Sequence, residues 1–277
     1  MRRRNLFAAA SLACALPAAM AASSSSAMAA SSSSAAAGAR RTFVLVHGAW
    51  HGGWCWTRVA GRLRALGHDV HVPTLTGLGE RRHLISPQVN LDTHVDDVVN
   101  LMEFEELNDV VLVGHSYAGI VISGVADRAP ERLRQLVYLD ALLLDSGKSI
   151  FSSFPKSVID QRMAVIRESG GGVGAPVALP PAAFGVHDAQ DARWVARRMT
   201  PQPVGTYLQP LTLQSPLGNG RPKAYIDCTL QPIETLQAGK AQVRSDSGWK
   251  VRTLAAAHDA MVTAPGPLTD LLAELAA

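Results

Sequence analysis

Residues 110–119 read VVLVGHSYAG. Val110, Val111, Leu112 and Val113 form an unbroken β-branched and apolar run, the pattern of a strand buried on both faces. The residues from Ala118 onward carry a helical pattern to about Ala129. Between the two, Gly114, His115, Ser116, Tyr117 and Ala118 form a sharp strand-to-helix turn that lifts the Ser116 hydroxyl above the carboxyl ends of the strands. The pentapeptide departs from G-x-S-x-G at its last position, where Ala118 replaces glycine and Gly119 follows. One added methyl at the helix start is expected to leave the turn intact. Taken alone, a serine here could equally cap a helix by accident.

The flanking chain alternates in the same way. Strands are expected at residues 42–46, 70–72, 136–139, 223–228 and 249–254, and helices at 54–66, 93–106 and 267–276. Strand and helix in alternation with long crossovers predict a mostly parallel, doubly wound sheet, an α/β fold. After Asp140 the rhythm breaks. Residues to about 215 are rich in proline and glycine, with helical pieces at 157–167 and 188–199, and read as a cap over the sheet edge, about residues 145–215.

A serine hydroxyl needs a base within hydrogen-bond reach, and histidine is the usual one. His258 follows the last expected strand, and the chain order of serine then histidine suits a base on the loop above the turn. The other histidines fall on surface or cap segments, except His115, locked beside the serine, and His47, which begins the loop His47, Gly48, Ala49, Trp50, His51, Gly52, Gly53. That loop is placed to build an oxyanion hole from the backbone N–H groups of Ala49 and Tyr117, with glycines that let the backbone approach the substrate.

The chain has 277 residues, 47% apolar and 18% charged, enough for a sizeable core and against global disorder. Its net charge of +3 owes much to Arg2, Arg3, Arg4, Arg40 and Arg41. No later Lys/Arg cluster is interleaved with aromatics, so nucleic-acid binding is set aside. No histidine or carboxylate cluster has metal-ligand spacing in the sequence. Residues 1–21 read as an export signal: a basic start, an apolar stretch from Leu6 to Leu16 too short to span a bilayer, and Ala19, Met20, Ala21 as a cleavage site. Arg3 and Arg4 before Asn5, Leu6 and Phe7 resemble a twin-arginine signal, so a periplasmic or secreted location is expected. Residues 22–40, almost wholly Ala, Ser and Gly, read as a disordered tether, and residues 41–277 as the folded domain. Cys55 and Cys228 are expected to be buried small hydrophobes rather than a disulfide.

Four separated stretches, residues 43–56, 73–81, 111–119 and 258–262, together resemble one group within the α/β hydrolases: plant methylesterases, salicylate-binding proteins and hydroxynitrile lyases, with their bacterial esterase relatives. The resemblance implies an α/β-hydrolase fold with a helical cap inserted after the sixth strand, no cofactor, and a small-molecule ester as substrate. The lyases of the group tend to carry threonine at the position of Gly48 and lysine at that of Asp259, and this chain has neither, so it favours an esterase. The family's usual acid, an aspartate shortly after the strand ending at Cys228, is missing: the chain reads Thr229, Leu230, Gln231, Pro232, Ile233. Three carboxylates remain as orienting partners for His258. Asp140 is preferred, because some members of the wider fold place their acid there; Glu234 and Asp227 are the alternatives. Beside the serine esterase, two other readings stand open: a cyanohydrin-cleaving lyase, and a small-molecule binding protein that kept the pocket and lost turnover with its acid.

Overall fold

The computed structural model describes residues 39–177 and 179–277. The export signal and most of the tether expected before the fold lie outside the described residues.

The first strand, β1 (Thr42–Val46), is buried at four of its five positions. A turn of 3-10 helix at Gly53–Trp56 leads into α1 (Thr57–Ala65), and β2 (Asp69–His71) follows. Helix α2 (Leu91–Phe104) starts two residues earlier than its apolar rhythm suggested. Asn90 caps it: the Asn90 side chain accepts from the Thr93 amide and the Thr93 hydroxyl accepts from the Asn90 amide. The central unit is β3 (Val110–His115), α3 (Ala118–Arg128) and β4 (Leu133–Leu139).

The chain then leaves the sheet. It forms α4 (Lys156–Ser169), a two-residue antiparallel bridge between β5 (Gly174–Ala175) and β6 (Gln202–Pro203), α5 (Ala189–Ala196) and the single turn α6 (Gly205–Leu208). It returns as β7 (Lys223–Cys228), α7 (Gln237–Ser245), β8 (Trp249–Leu254), α8 (Ala260–Thr263) and α9 (Pro265–Ala276).

The main sheet has six strands in the order β2-β1-β3-β4-β7-β8, and every neighbouring pair is parallel. Successive side chains of a strand point to opposite faces, so each strand feeds two cores. Val44, Val46, Leu112, Tyr138 and Tyr225 pack against α2 and α3. Phe43, Leu45, Val111, Val113 and Ile226 pack against α1, α8 and α9 on the other face. A third cluster, Phe151, Ile166, Ala175, Val204 and Tyr207, is the cap's own core, and Trp50 of the first loop packs against it.

The expected placement of the cap needs one correction. It departs after β4, the fourth strand in chain order, and not after a sixth. The strands that precede it are β1, β2, β3 and β4. Because all strands run the same way, their carboxyl ends lie on one edge of the sheet, and the loops that leave that edge meet under the cap.

Candidate active site

Ser116 directly follows β3 and has φ of 54°, a left-handed conformation that a side-chain-bearing residue adopts only when its surroundings enforce it. The enforcement is visible. The Ser116 N–H donates to the Leu139 carbonyl of β4 at 3.1 Å, and the Ser116 carbonyl accepts from Gly119 at 3.0 Å and Leu142 at 2.8 Å. Gly119 cannot carry a side chain, since a Cβ there would lie 2.2 Å from the Leu142 carbonyl oxygen. Ala118, at the position where the pentapeptide departs from glycine, sits fully buried in the core beneath α3. The close backbone crossing therefore falls one residue later than the usual motif suggests.

His258 lies four residues beyond β8. Its Nε2 is 2.9 Å from Ser116 Oγ and its Nδ1 is 2.6 Å from Asp140 Oδ2. A carboxylate only accepts, so Nδ1 carries the proton and Nε2 is left to accept from the serine hydroxyl. The His258 backbone is pinned as well: the buried His115 ring donates from Nε2 to the His258 carbonyl at 3.0 Å, and the Asp259 N–H donates to the Phe184 carbonyl of the cap at 3.0 Å. Burial holds the His115 ring neutral, with its pKa lowered to about 3.

Of the three candidate acids, the structure brings Asp140 to the histidine. Asp140 directly follows β4 with φ of 40° and is fully buried. Burial alone would raise its pKa, but hydrogen bonds from His258 and Lys240 outweigh that and hold it below the usual carboxylate value. Glu234 is exposed on a 3-10 turn. Asp227 faces α7, where it pairs with Lys240 at 2.8 Å and with Arg244.

The loop after β1 passes directly over the serine. A Cβ on Gly48 would lie 2.9 Å from His115 Nδ1 and 3.0 Å from Ser116 Cβ, so glycine is required for the approach. His47, neutral with its pKa lowered to about 3 chiefly by burial, lies with Nδ1 2.8 Å from the Gly48 carbonyl and accepts at Nε2 from the Leu75 amide at 3.0 Å. Among the described residues the amides of Ala49 and Tyr117 have no intramolecular acceptor, which leaves both free to donate to a bound group. The loop is clamped from the cap: the Trp50 N–H donates to Gln202 Oε1 at 3.1 Å, and the Thr200 N–H donates to the Trp50 carbonyl at 2.9 Å. Tyr117 is tied down by its hydroxyl, 2.9 Å from Nδ1 of the neutral His94.

Three features of this site had no counterpart in the sequence reading. Lys240 and Gln202 belong to no motif, and Asp259 stands out in the sequence only as a position without lysine. In the structure Asp259 is fully buried and bonded to His51 Nε2 at 3.1 Å, while His51 Nδ1 lies 2.8 Å from the Ala49 carbonyl. Folding also brings together a trio that sequence spacing could not show: ligand atoms of His115, His258 and Asp259 lie within 4.8 Å of one another. His115 and His258 in that trio are already engaged with the His258 carbonyl and with Ser116 and Asp140, so the trio does not present a free donor set. Cys55 and Cys228 are buried free thiols. Among the apolar cap residues, Phe184 stands beside the site, 6.1 Å between ring centres from His258; Met163 and Tyr207 belong to the cap core, and Trp194 and Met199 to the packing behind β1.

A sequence model of the alpha/beta hydrolase family matches residues 43–271. The chain belongs to that family. It is 40% identical over 242 residues to a carbendazim hydrolyzing esterase of Nocardioides sp. (strain SG-4G), covering 84% of this chain and 98% of that esterase. It is 34% identical over 133 residues to the alpha-hydroxynitrile lyase of Arabidopsis thaliana, covering 48% of each. Among solved structures, an extracellular alpha/beta-hydrolase from a Paenibacillus species superposes with a TM-score of 0.71 at 24% identity, covering 84% of this chain and 98% of that one, and shows the shared fold. As a member of this family with esterase relatives, the chain is a hydrolase of the esterase class.

Proposed function

We propose that this hydrolase is a serine carboxylic-ester hydrolase that acts on small, hydrophobic esters through an acyl-enzyme at Ser116. The observation that carries the reading is the hydrogen-bonded run from Ser116 Oγ through His258 to Asp140, with separations of 2.9 and 2.6 Å. His258 Nε2 takes the hydroxyl proton as Oγ attacks the ester carbonyl. The amides of Ala49 and Tyr117 receive the oxygen that becomes negative, and Asp140 stabilises the imidazolium. His258 then protonates the departing alkoxide. Water, deprotonated by the same ring, attacks the acyl-enzyme and releases the acid, so ester and water leave as acid and alcohol. No cofactor takes part in this scheme.

The lyase reading is disfavoured by Asp259, a buried carboxylate where a departing cyanide would call for a cation. The binding-protein reading calls for a missing acid, and the 2.6 Å contact of Asp140 with His258 argues against it. Turnover of p-nitrophenyl acetate and butyrate tests the proposal, with carbendazim added because the Nocardioides relative is named for hydrolysing it. Wild type should be active and Ser116→Ala inactive. Activity that survives Ser116→Ala, or none in the wild type, overturns it, and cyanide release from mandelonitrile would favour the lyase. We also propose that residues 1–21 direct export and are removed. Amino-terminal sequencing of protein from periplasm or medium should begin near residue 22, and recovery of the uncleaved chain only from cytoplasm would refute this.

A further inference from the structure

We propose that Lys240 is a positioning residue of the catalytic machinery, holding the displaced acid Asp140 in the orientation and charge state that His258 requires. The inference rests on the serine-esterase reading. Lys240 lies on α7, and its side chain is 3% exposed. Its Nζ is 2.5 Å from Asp140 Oδ1 and 2.8 Å from Asp227 Oδ1, and it lies 3.5 Å from the Cys228 carbonyl. Asp140 is thereby committed on both oxygens: Oδ1 to Lys240 and, at 3.4 Å, to the Cys228 amide; Oδ2 to His258. A carboxylate with one oxygen anchored cannot rotate away from the imidazole. Burial by itself would discharge the lysine, but its contacts with Asp140 and Asp227 prevail and keep it cationic.

The effect on His258 follows from the other charges around it. His115 is neutral. The Cys228 thiol and the Tyr225 hydroxyl are pushed up by burial and stay protonated. Asp259 is offset by His51, and Asp227 by Arg244. Lys240 is therefore the cation that tempers Asp140. Without it, Asp140 acts on His258 as an unshared anion, favours the protonated ring, and makes the base harder to discharge.

The test compares wild type with Lys240→Met, Lys240→Gln and Lys240→Arg, reading the pH dependence of kcat/KM on p-nitrophenyl acetate and, independently of turnover, the titration of the His258 ring by NMR. In Lys240→Met and Lys240→Gln the acid limb and the ring titration should both move up by about one pH unit, a roughly tenfold loss of kcat/KM below the limb. Lys240→Arg should restore the wild-type limb. If the variants melt earlier but neither limb nor titration moves, or if neither neutral variant folds, Lys240 is a stability residue and the proposal is overturned. If wild type turns over no ester, the serine-esterase reading falls while the NMR titration still decides for or against Lys240.

Discussion

Asp140 Oδ2 lies 2.6 Å from His258 Nδ1 across 118 residues of sequence, and the same carboxylate reaches the Cys228 amide at the end of β7. β4 lies between β3, which leads into Ser116, and β7, so a carboxylate at its end occupies the space that one at the end of β7 would use. The Asp140 N–H donates to the Ile226 carbonyl at 2.8 Å, which ties the two strand ends together. An acid can move from one strand to its neighbour without any shift of the histidine, because parallel strands deliver their carboxyl ends to a common edge.

Asp140→Asn should therefore cost on the order of 10³ to 10⁴ in kcat, since the amide no longer stabilises the imidazolium or selects its tautomer. Glu234→Gln should leave kcat within about twofold, because Glu234 is an exposed residue on a 3-10 turn and no orphaned charge results. Steady-state kinetics on both variants decide the point. Equal, mild losses would remove Asp140 from the triad.

The sequence was most legible where burial is near complete, as in 42–46 and 223–228; strand 249–254 buries only its two ends, Trp249 and Leu254. Residues 42–46, 223–228 and 249–254 stand as read, since a run such as Thr42–Val46 has no stable fate except a covered strand. Helix α7 carries no apolar stripe. Its two buried residues are Lys240 and Val243, so a lysine occupies the place that apolar periodicity looks for. The only local sign was the spacing of Lys240 and Arg244, which sets both on one face of α7 toward Asp227. The acid stayed open for a related reason. Which carboxylate meets His258 depends on strand neighbours, and the order β4 beside β7 is a property of the assembled sheet. Gln202 had no signal at all, because a glutamine in a cap looks like solvent-facing polarity until the cap folds onto Trp50.

The two residues at the start of α3 should both lose stability on substitution but differ in their effect on activity. Gly119→Ala places a methyl against the Leu142 carbonyl, an overlap at 2.2 Å with backbone on both sides. Overpacking of this kind costs about 1–3 kcal/mol, and here it also shifts Ser116, whose carbonyl is bonded to Leu142. Ala118→Gly removes a methyl at a helix start, costs up to about 1 kcal/mol through helix propensity, and should keep activity within a few-fold. Thermal melting and esterase rates measured together test this. A Gly119→Ala enzyme that is as active as wild type would show that the elbow has slack the geometry denies.

Gln202→Ala probes the clamp between cap and oxyanion loop. The fully buried Gln202 accepts from the Trp50 amide and donates to Thr206 Oγ1 at 2.9 Å. Its loss orphans a backbone N–H, at a cost of about 1–3 kcal/mol. It also frees the peptide next to the Ala49 amide. Kinetically, kcat should fall by about tenfold with KM changed less, because the loosened donor acts on the developing oxyanion more than on bound ester. A rise in KM with kcat unchanged would place Gln202 in substrate binding instead.

The His51–Asp259 pair gives stability a pH dependence of definite sign. Burial lowers the His51 pKa, but the Asp259 carboxylate overcomes this and leaves it raised above 6.5; burial raises that of Asp259, but His51 and the neighbouring rings leave it lowered below 3.8. A raised histidine contributes stability that is complete below its unfolded value and is lost as pH climbs through the folded one. A lowered aspartate contributes stability that is complete above its unfolded value and is lost as pH falls through the folded one. The pair therefore contributes fully between about 3.8 and 6.5 and less on the alkaline side, where His51 gives up its proton. Asp259→Asn should cost roughly 3–5 kcal/mol at pH 5.5, and the gap from wild type should narrow by pH 8.5. Urea unfolding at the two pH values measures that difference directly, with other titrating groups cancelling between the proteins. Because His51 Nδ1 bonds the Ala49 carbonyl, the variant should also lose kcat at pH values where it still folds. A stability gap equal at both pH values would mean that His51 is not an imidazolium in the native state.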